Sequence, residues 1–188
     1  MVERTRIGEI ALLQIHRDLL VSGDRYDPAP LAQVEALSVD QSGAVGWMGD
    51  AWAVDVHHRS WPGRGGRRPL SVGFTSHYRK MTTRFGAVPL GTAGENVIVD
   101  YDEVVRRDDL GEAIVIVGRD EVVLTAPQVA RPCRQFTSYL LGLPHLAEPE
   151  EIAAELEFLD GGTRGFIFQV EGIESPAIIK PGDVVYRC

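Results

Sequence analysis

With 188 residues, 44% of them hydrophobic and 24% charged, the chain has the size and composition of one globular domain over residues 1–188, which excludes a disordered or fibrous polymer. A net charge of −8 argues against general nucleic-acid or membrane-surface binding, both of which use a broad basic field, and no apolar run is long enough for a membrane helix. The N-terminal MVERTRIGEIALLQIH mixes charge into any stretch that would serve as a signal sequence, and two cysteines, Cys133 and Cys188, cannot build a disulfide framework, so a soluble protein of the reducing cytoplasm is expected.

In chain order, IGEIALLQIH (residues 7–16) reads as a strand, and SGDRYDPAPLAQ (22–33) is the most loop-like stretch. None of the 27 acidic residues falls between Asp55 and Glu95, a window that holds Arg59, Arg64, Arg67, Arg68, Arg79, Lys80 and Arg84. Within it, HHRSWPGRGGRRP interleaves glycines, which let the backbone approach a ligand, with guanidiniums that fork onto phosphate oxygens. A pocket for a compact anion and a solvated basic surface both fit this run, and it carries no Walker or Rossmann fingerprint. PLSVGFT (69–75) and ENVIVDY (95–101) read as strands on either side of a helix over 76–85, and AIVIVGRDEVVLTAP (113–127) reads as a hairpin across Gly118–Glu121. Two more helices are expected over 132–142 and 149–159, the second opening on Glu148, Glu150 and Glu151 and stopping at Gly161-Gly162. RGFIFQVEG and AIIKPGDVVYR read as a closing pair around the turn Pro181-Gly182-Asp183. Strands outnumber helices without βαβ alternation, so the expected class is mainly β with inserted helices, a closed or nearly closed barrel.

VARPCRQF (129–136) sets Cys133 between Arg131 and Arg134, directly after a proline. If Pro132 opens the helix, Cys133 lies in its first turn, where unpaired backbone N–H groups and the helix dipole favour an anion. The arginines act in the same direction, favouring a thiolate fit to be a nucleophile, sulfur carrier or metal ligand. A buried inert cysteine under the helix is the competing reading. Histidines 57, 58 and 77 with Asp50 and Asp55 invite a zinc reading, yet no HExxH or other ligand spacing is present, and His77 reads as structural or surface. Trp47, Trp52 and Trp61 fit a pocket wall or a packed core.

The segments GWMGD (46–50), GRRPLSV (66–72), GTAGENVIV (91–99), ARPCRQF (130–136), TRGFIFQVEG (163–172) and IKPGDVV (179–185) stand in the order found in MOSC domains, the family named for the C-terminal domain of molybdenum cofactor sulfurases, and the chain resembles that family over about residues 7–187. The resemblance implies a mixed β-barrel like the barrel domain of pyruvate kinase. It also implies binding of molybdenum cofactor, the phosphate-bearing pterin dithiolene (molybdopterin), with Cys133 as the metal ligand and the catalytic position. Arg67 and Arg68 become candidates to clamp the phosphate, since soft thiolate sulfur suits the metal and guanidinium suits the phosphate. Asp50, Glu95, Asn96 and Arg131 stand at motif positions as cofactor-binding candidates, Glu95-Asn96 being placed to meet a pterin edge or, alternatively, to tie down a turn. Many members carry a histidine soon after the Gly-Asp pair, whereas GDAWAVDVHH delays it to His57 and His58, so no histidine is assigned.

Three functions follow as alternatives. One is a molybdenum oxidoreductase acting on N-hydroxylated compounds; with two cysteines leaving none for an iron–sulfur cluster, it needs an external electron donor. Another is a carrier that holds molybdenum cofactor or a Cys133 persulfide received from a sulfur donor protein, in sulfur transfer independent of pyridoxal phosphate. The last is a metal-free cysteine transferase or hydrolase with a histidine base near Cys133.

Overall fold

The computed structural model describes residues 4–62, 70–171 and 175–188. Its strands are β1 (Thr5–His16), β2 (Val21–Ser22), β3 (Arg25–Tyr26), β4 (Leu31–Gln33), β5 (Ala36–Asp40), β6 (Gly43–Trp47), β7 (Trp52–Val54), β8 (Leu70–Phe74), β9 (Val97–Asp100), β10 (Ala113–Val117), β11 (Glu121–Val129), β12 (Phe166–Glu171), β13 (Ala177–Ile179) and β14 (Val184–Arg187). The helices are α1 (Thr75–Phe85), α2 (Arg134–Leu140) and α3 (Ala153–Leu159).

Seven strands close into a barrel in the order β14-β10-β11-β12-β8-β9-β1, the ring being completed by the pairing of β1 with β14. The expected class, mainly β with inserted helices and a mixed barrel, is the one observed. It is mixed because β8 and β9 run parallel while their neighbours are antiparallel. Parallel neighbours need a crossover, and α1 with the loop after it supplies that connection. A smaller sheet, β13-β5-β6-β7, and the β2–β3 hairpin lie beside the barrel.

Side chains alternate across a strand, and the barrel uses both faces. Val97 and Val99 of β9 join Val72, Phe74, Phe166 and Phe168 in the inner core. Ile98 of the same strand faces outward and packs with Leu12, Tyr78, Met81, Phe136 and Leu159 under the helices. Burial on both faces is why VIV carries no polar alternation. In β1, the register with β14 shifts between Arg6 and Gly8. Gly8 has φ 142°, and a Cβ there would lie 2.2 Å from the Asp100 carbonyl oxygen. Gly8→Ala is therefore expected to cost more than about 1 kcal/mol of stability; an unchanged urea midpoint would show that the bulge tolerates a side chain.

The helix over 76–85 and the 113–127 hairpin form where the sequence places them. Three other expectations are corrected. The helix after Pro132 begins only at Arg134, and Cys133 is its extended N-cap residue, with φ −116° and ψ 154°. A residue before proline avoids the helical region, which keeps Arg131 out of the helix, and Cys133 O accepts the first helical bond from Thr137 N at 3.0 Å. The helix expected from 149 starts at Ala153, because the acidic residues form a turn in which Glu148 N donates to Glu151 Oε2 at 2.8 Å. Among the described residues, RGFIFQVEG and AIIKPGDVVYR do not pair with each other. Strand β12 lies between β11 and β8, β13 joins β5, and β14 joins β1 and β10. The Pro-Gly-Asp turn docks on β1 instead, with Gly182 N donating to Ile10 O at 2.8 Å and Ile10 N to Asp183 O at 2.9 Å. The loop-like stretch 22–33 carries β3 and β4, and the strands of the smaller sheet between 36 and 54 had no counterpart in the sequence reading.

Candidate functional site

Ser71 of β8 and Ile167 of β12 alternate with inner-core residues, so they face out of the barrel, and a cavity of about 280 Å³ opens over them. That volume is at the lower end of the range of about 300–1,000 Å³ common for small-ligand sites. Its walls are the end of β1 and the loop after it (His16, Leu19, Leu20), the β2–β3 hairpin (Val21, Tyr26), His57 beyond β7, the turn Ala93–Asn96 before β9, Ala130 and Arg131 beyond β11, and Arg164 before β12.

The cationic side is organised by Arg164. Its guanidinium lies 4.8 Å over the Phe136 ring, and Nη1 donates to Arg131 O at 3.1 Å and reaches Cys133 Sγ at 3.5 Å. Helix α2 thereby sets both the ring and the thiol against one arginine. Cys133 is half-buried. Arg134, expected beside the thiol, turns away to Ala147 O at 2.8 Å and Glu148 at 3.1 Å, so the cation beside the sulfur comes from a different segment. Arg131 is exposed and lines the cavity.

Glu95 is 2% exposed. A Cβ on Gly165, which has φ 91°, would lie 2.9 Å from Glu95 Cγ, so glycine there leaves the room in which the carboxyl sits. Tyr78 OH donates to Oε2 at 2.5 Å, while Oε1 has no partner. Burial pushes the Glu95 carboxyl up to about 7 against the opposing Tyr78 bond, and burial holds the Tyr78 phenol far above its ordinary value. At neutral pH the site therefore holds a neutral phenol beside a carboxyl near its midpoint. The amide of Asn96 is saturated within the protein: Nδ2 donates to Gln14 O at 3.2 Å and Asp55 Oδ2 at 3.0 Å, and Oδ1 accepts from Ser71 N at 3.2 Å and Ser71 Oγ at 2.9 Å. Four bonds exhaust an amide, so Asn96 positions Asp55 and the turn rather than offering a free edge to a ligand.

Asp55, His16 and His57 form the opposite wall. Asp55 Oδ2 accepts from His16 N at 2.7 Å, and Oδ1 accepts from His57 N at 2.7 Å and contacts His57 Nδ1 at 3.1 Å. These bonds outweigh burial, the largest influence, and hold the Asp55 carboxyl below its ordinary value. His16 Nε2 bonds Gly94 O at 2.5 Å. A carbonyl only accepts, so Nε2 carries the proton and the buried, unpartnered Nδ1 carries a lone pair. Burial lowers the pKa of His16 below its ordinary value, keeping that ring neutral.

Of the residues singled out from the sequence, Cys133, Arg131, Glu95 and Asn96 converge on or beside this cavity. Asp50 does not: it is exposed in the turn between β6 and β7, where Met48 N bonds Ala51 O at 3.0 Å. Arg67 and Arg68 lie outside the described residues. His77 is fully buried, with Nε2 bonding Val105 O at 2.9 Å, and burial lowers its pKa to about 4, a structural histidine. Trp47 and Trp52 pack on each other across the β6–β7 hairpin with ring centroids 5.3 Å apart. Sequence reasoning missed His16 and gave no role to Arg164. The available signals were a histidine ending an apolar strand and an arginine directly before a glycine and a strand.

No family model matches the chain, and neither does any curated protein. Solved structures do share the fold. The YuaD protein from Bacillus subtilis aligns with TM-score 0.62 at 19% identity, covering 99% of this chain and 100% of that one. YiiM from Escherichia coli aligns with TM-score 0.52 at 13% identity, covering 96% of this chain and 69% of that one. The chain thus shares the fold of these two proteins.

Proposed function

We propose that this chain is a MOSC-type protein that binds molybdenum cofactor in the cavity beside Cys133 and reduces N-hydroxylated compounds with electrons from an external donor. The observation that carries the reading is the Arg164 guanidinium, which lines the cavity, reaches to 3.5 Å from Cys133 Sγ and is backed by the Phe136 ring. The ordered motifs and the fold shared with YuaD and YiiM support it.

The residues present fit such a group. Cys133 offers a soft sulfur donor for a metal, Arg164 and Arg131 offer charge to an anion, and the unpaired Glu95 Oε1 is a buried polar atom in a residue of the cavity wall. Bound cofactor would supply two-electron oxo-transfer chemistry at molybdenum. The protein's part is to orient the anion on Arg164, exclude water with Tyr26, Leu20 and Ile167, and hold a proton near neutrality on Glu95.

Arg164→Gln removes one charge-assisted contact worth about 1.5–3 kcal/mol, or about 10- to 150-fold in affinity. Pterin retained on purification should fall accordingly, and unchanged pterin content in the folded variant would remove Arg164 from the site. Turnover of a hydroxylamine with a reduced dye distinguishes the enzyme from a carrier of cofactor or persulfide sulfur. The carrier reading is favoured by the half-buried, accessible position of Cys133. Loaded protein that never turns over would establish it in place of the reductase.

A further inference from the structure

We propose a second metal site in the opposite wall of the cavity: His16, Asp55 and His57 form a site for a divalent transition-metal ion such as zinc, independent of Cys133. The three residues come from the end of β1 and the segment after β7, and one potential ligand atom from each lies within 4.8 Å of the others. Asp55 Oδ1 and His57 Nδ1 are already 3.1 Å apart, close to the edge of a tetrahedral site with bonds of about 2.0–2.1 Å. The two imidazoles meet edge to face with centroids 4.8 Å apart, so they are neighbours without being stacked.

An independent observation points to a ligand. His16 Nδ1 is buried, holds a lone pair and has no partner, whereas Nε2–H is fixed on Gly94 O. Metal-binding histidines are held in this way, one nitrogen anchored to a carbonyl and the other left bare. Asp55 is oriented in turn by His16 N, His57 N and the Asn96 amide, an outer shell that pre-sets the carboxylate. Binding asks of His57 only a change of tautomer that frees Nδ1. Two imidazoles and one carboxylate suit zinc or iron(II) better than the all-oxygen preference of magnesium or calcium. Because His57 is 25% exposed and lines the cavity, the ion would keep an open position toward it.

The test is zinc binding to the full chain carrying Cys133→Ser and Cys188→Ser, which removes adventitious thiolate sites and makes the result independent of cofactor content. Competition with a chromophoric chelator should give one zinc per chain, and cobalt(II) should give the absorption bands of a nitrogen–oxygen site without thiolate charge transfer. His57→Gln, at a partly exposed position, should weaken binding at least about 100-fold, since losing even an outer-shell partner costs about 10- to 100-fold. His16→Gln should do the same if circular dichroism shows it folded. Absence of stoichiometric zinc, or zinc binding unchanged by His57→Gln, would overturn the proposal while leaving the cofactor reading untouched.

Discussion

Phe136→Ala is expected to lower folding stability by about 3–5 kcal/mol, the cost of emptying a fully buried aromatic site. Phe136 is 0% exposed and meets Tyr26 edge to face at 4.9 Å in the core between the barrel wall and the helices. It also carries the Arg164 guanidinium on its ring at 4.8 Å. The substitution therefore acts twice, removing apolar burial and releasing the arginine that faces Cys133. Tyr139, on the same helix and 39% exposed, provides the comparison, and its alanine variant should lose far less. Urea unfolding followed by tryptophan fluorescence reads both, and a Phe136→Ala loss below about 1 kcal/mol, the size of an ordinary substitution, would mean that α2 is not anchored by this ring.

The second large effect is pH-dependent. Burial raises the Glu95 carboxyl from an ordinary 4.5 to about 7. The folded chain thus keeps a proton that the unfolded chain releases, so stability falls as pH rises from 4.5 to about 7, and the loss is complete above that window. At about 1.4 kcal/mol per unit, the loss is about 3 kcal/mol. Glu95→Gln carries no charge at any pH and keeps an oxygen for the Tyr78 hydroxyl, which donates at 2.5 Å in the wild type. Its stability relative to wild type should rise by about 3 kcal/mol between pH 4.5 and pH 8. Guanidinium unfolding at several pH values measures this, and a difference that does not vary with pH would show that Glu95 ionises as freely folded as unfolded.

Much of the barrel was legible because its strands are locally emphatic. AIVIV and EVVLTAP flank a short polar turn, and VIV is apolar on both faces because helices cover the outside. The strands between 36 and 54 were not legible, since GAVGW carries two glycines and ALSVD a serine and an aspartate, and they are held by pairing with one another and with Ala177–Ile179, far along the chain. The PGD segment shows the same limit. Its turn chemistry was evident, but its docking on Ile10 is a contact across the whole chain.

The site divides along similar lines. Cys133, Arg131 and Glu95 were visible through their motifs. Asp55 and His57 were visible only within a broader zinc reading, and His16 and Arg164 acquire meaning only when the fold joins the end of β1, the segment after β7 and the start of β12. Asn96 was visible as a residue but not as a role, because only the structure reveals that its four hydrogen bonds are spent internally.

The central claim, that molybdenum cofactor binds against Cys133, is tested most directly by elemental analysis with pterin fluorescence on protein freshly purified from a host that makes the cofactor. The account predicts molybdenum and pterin in equal amounts, approaching one per chain, with the metal lost from Cys133→Ser while the fold persists, because sulfur-to-oxygen exchange at a half-buried position changes little packing. Protein free of molybdenum and pterin under those conditions, or a Cys133→Ser variant with full metal content, would contradict it.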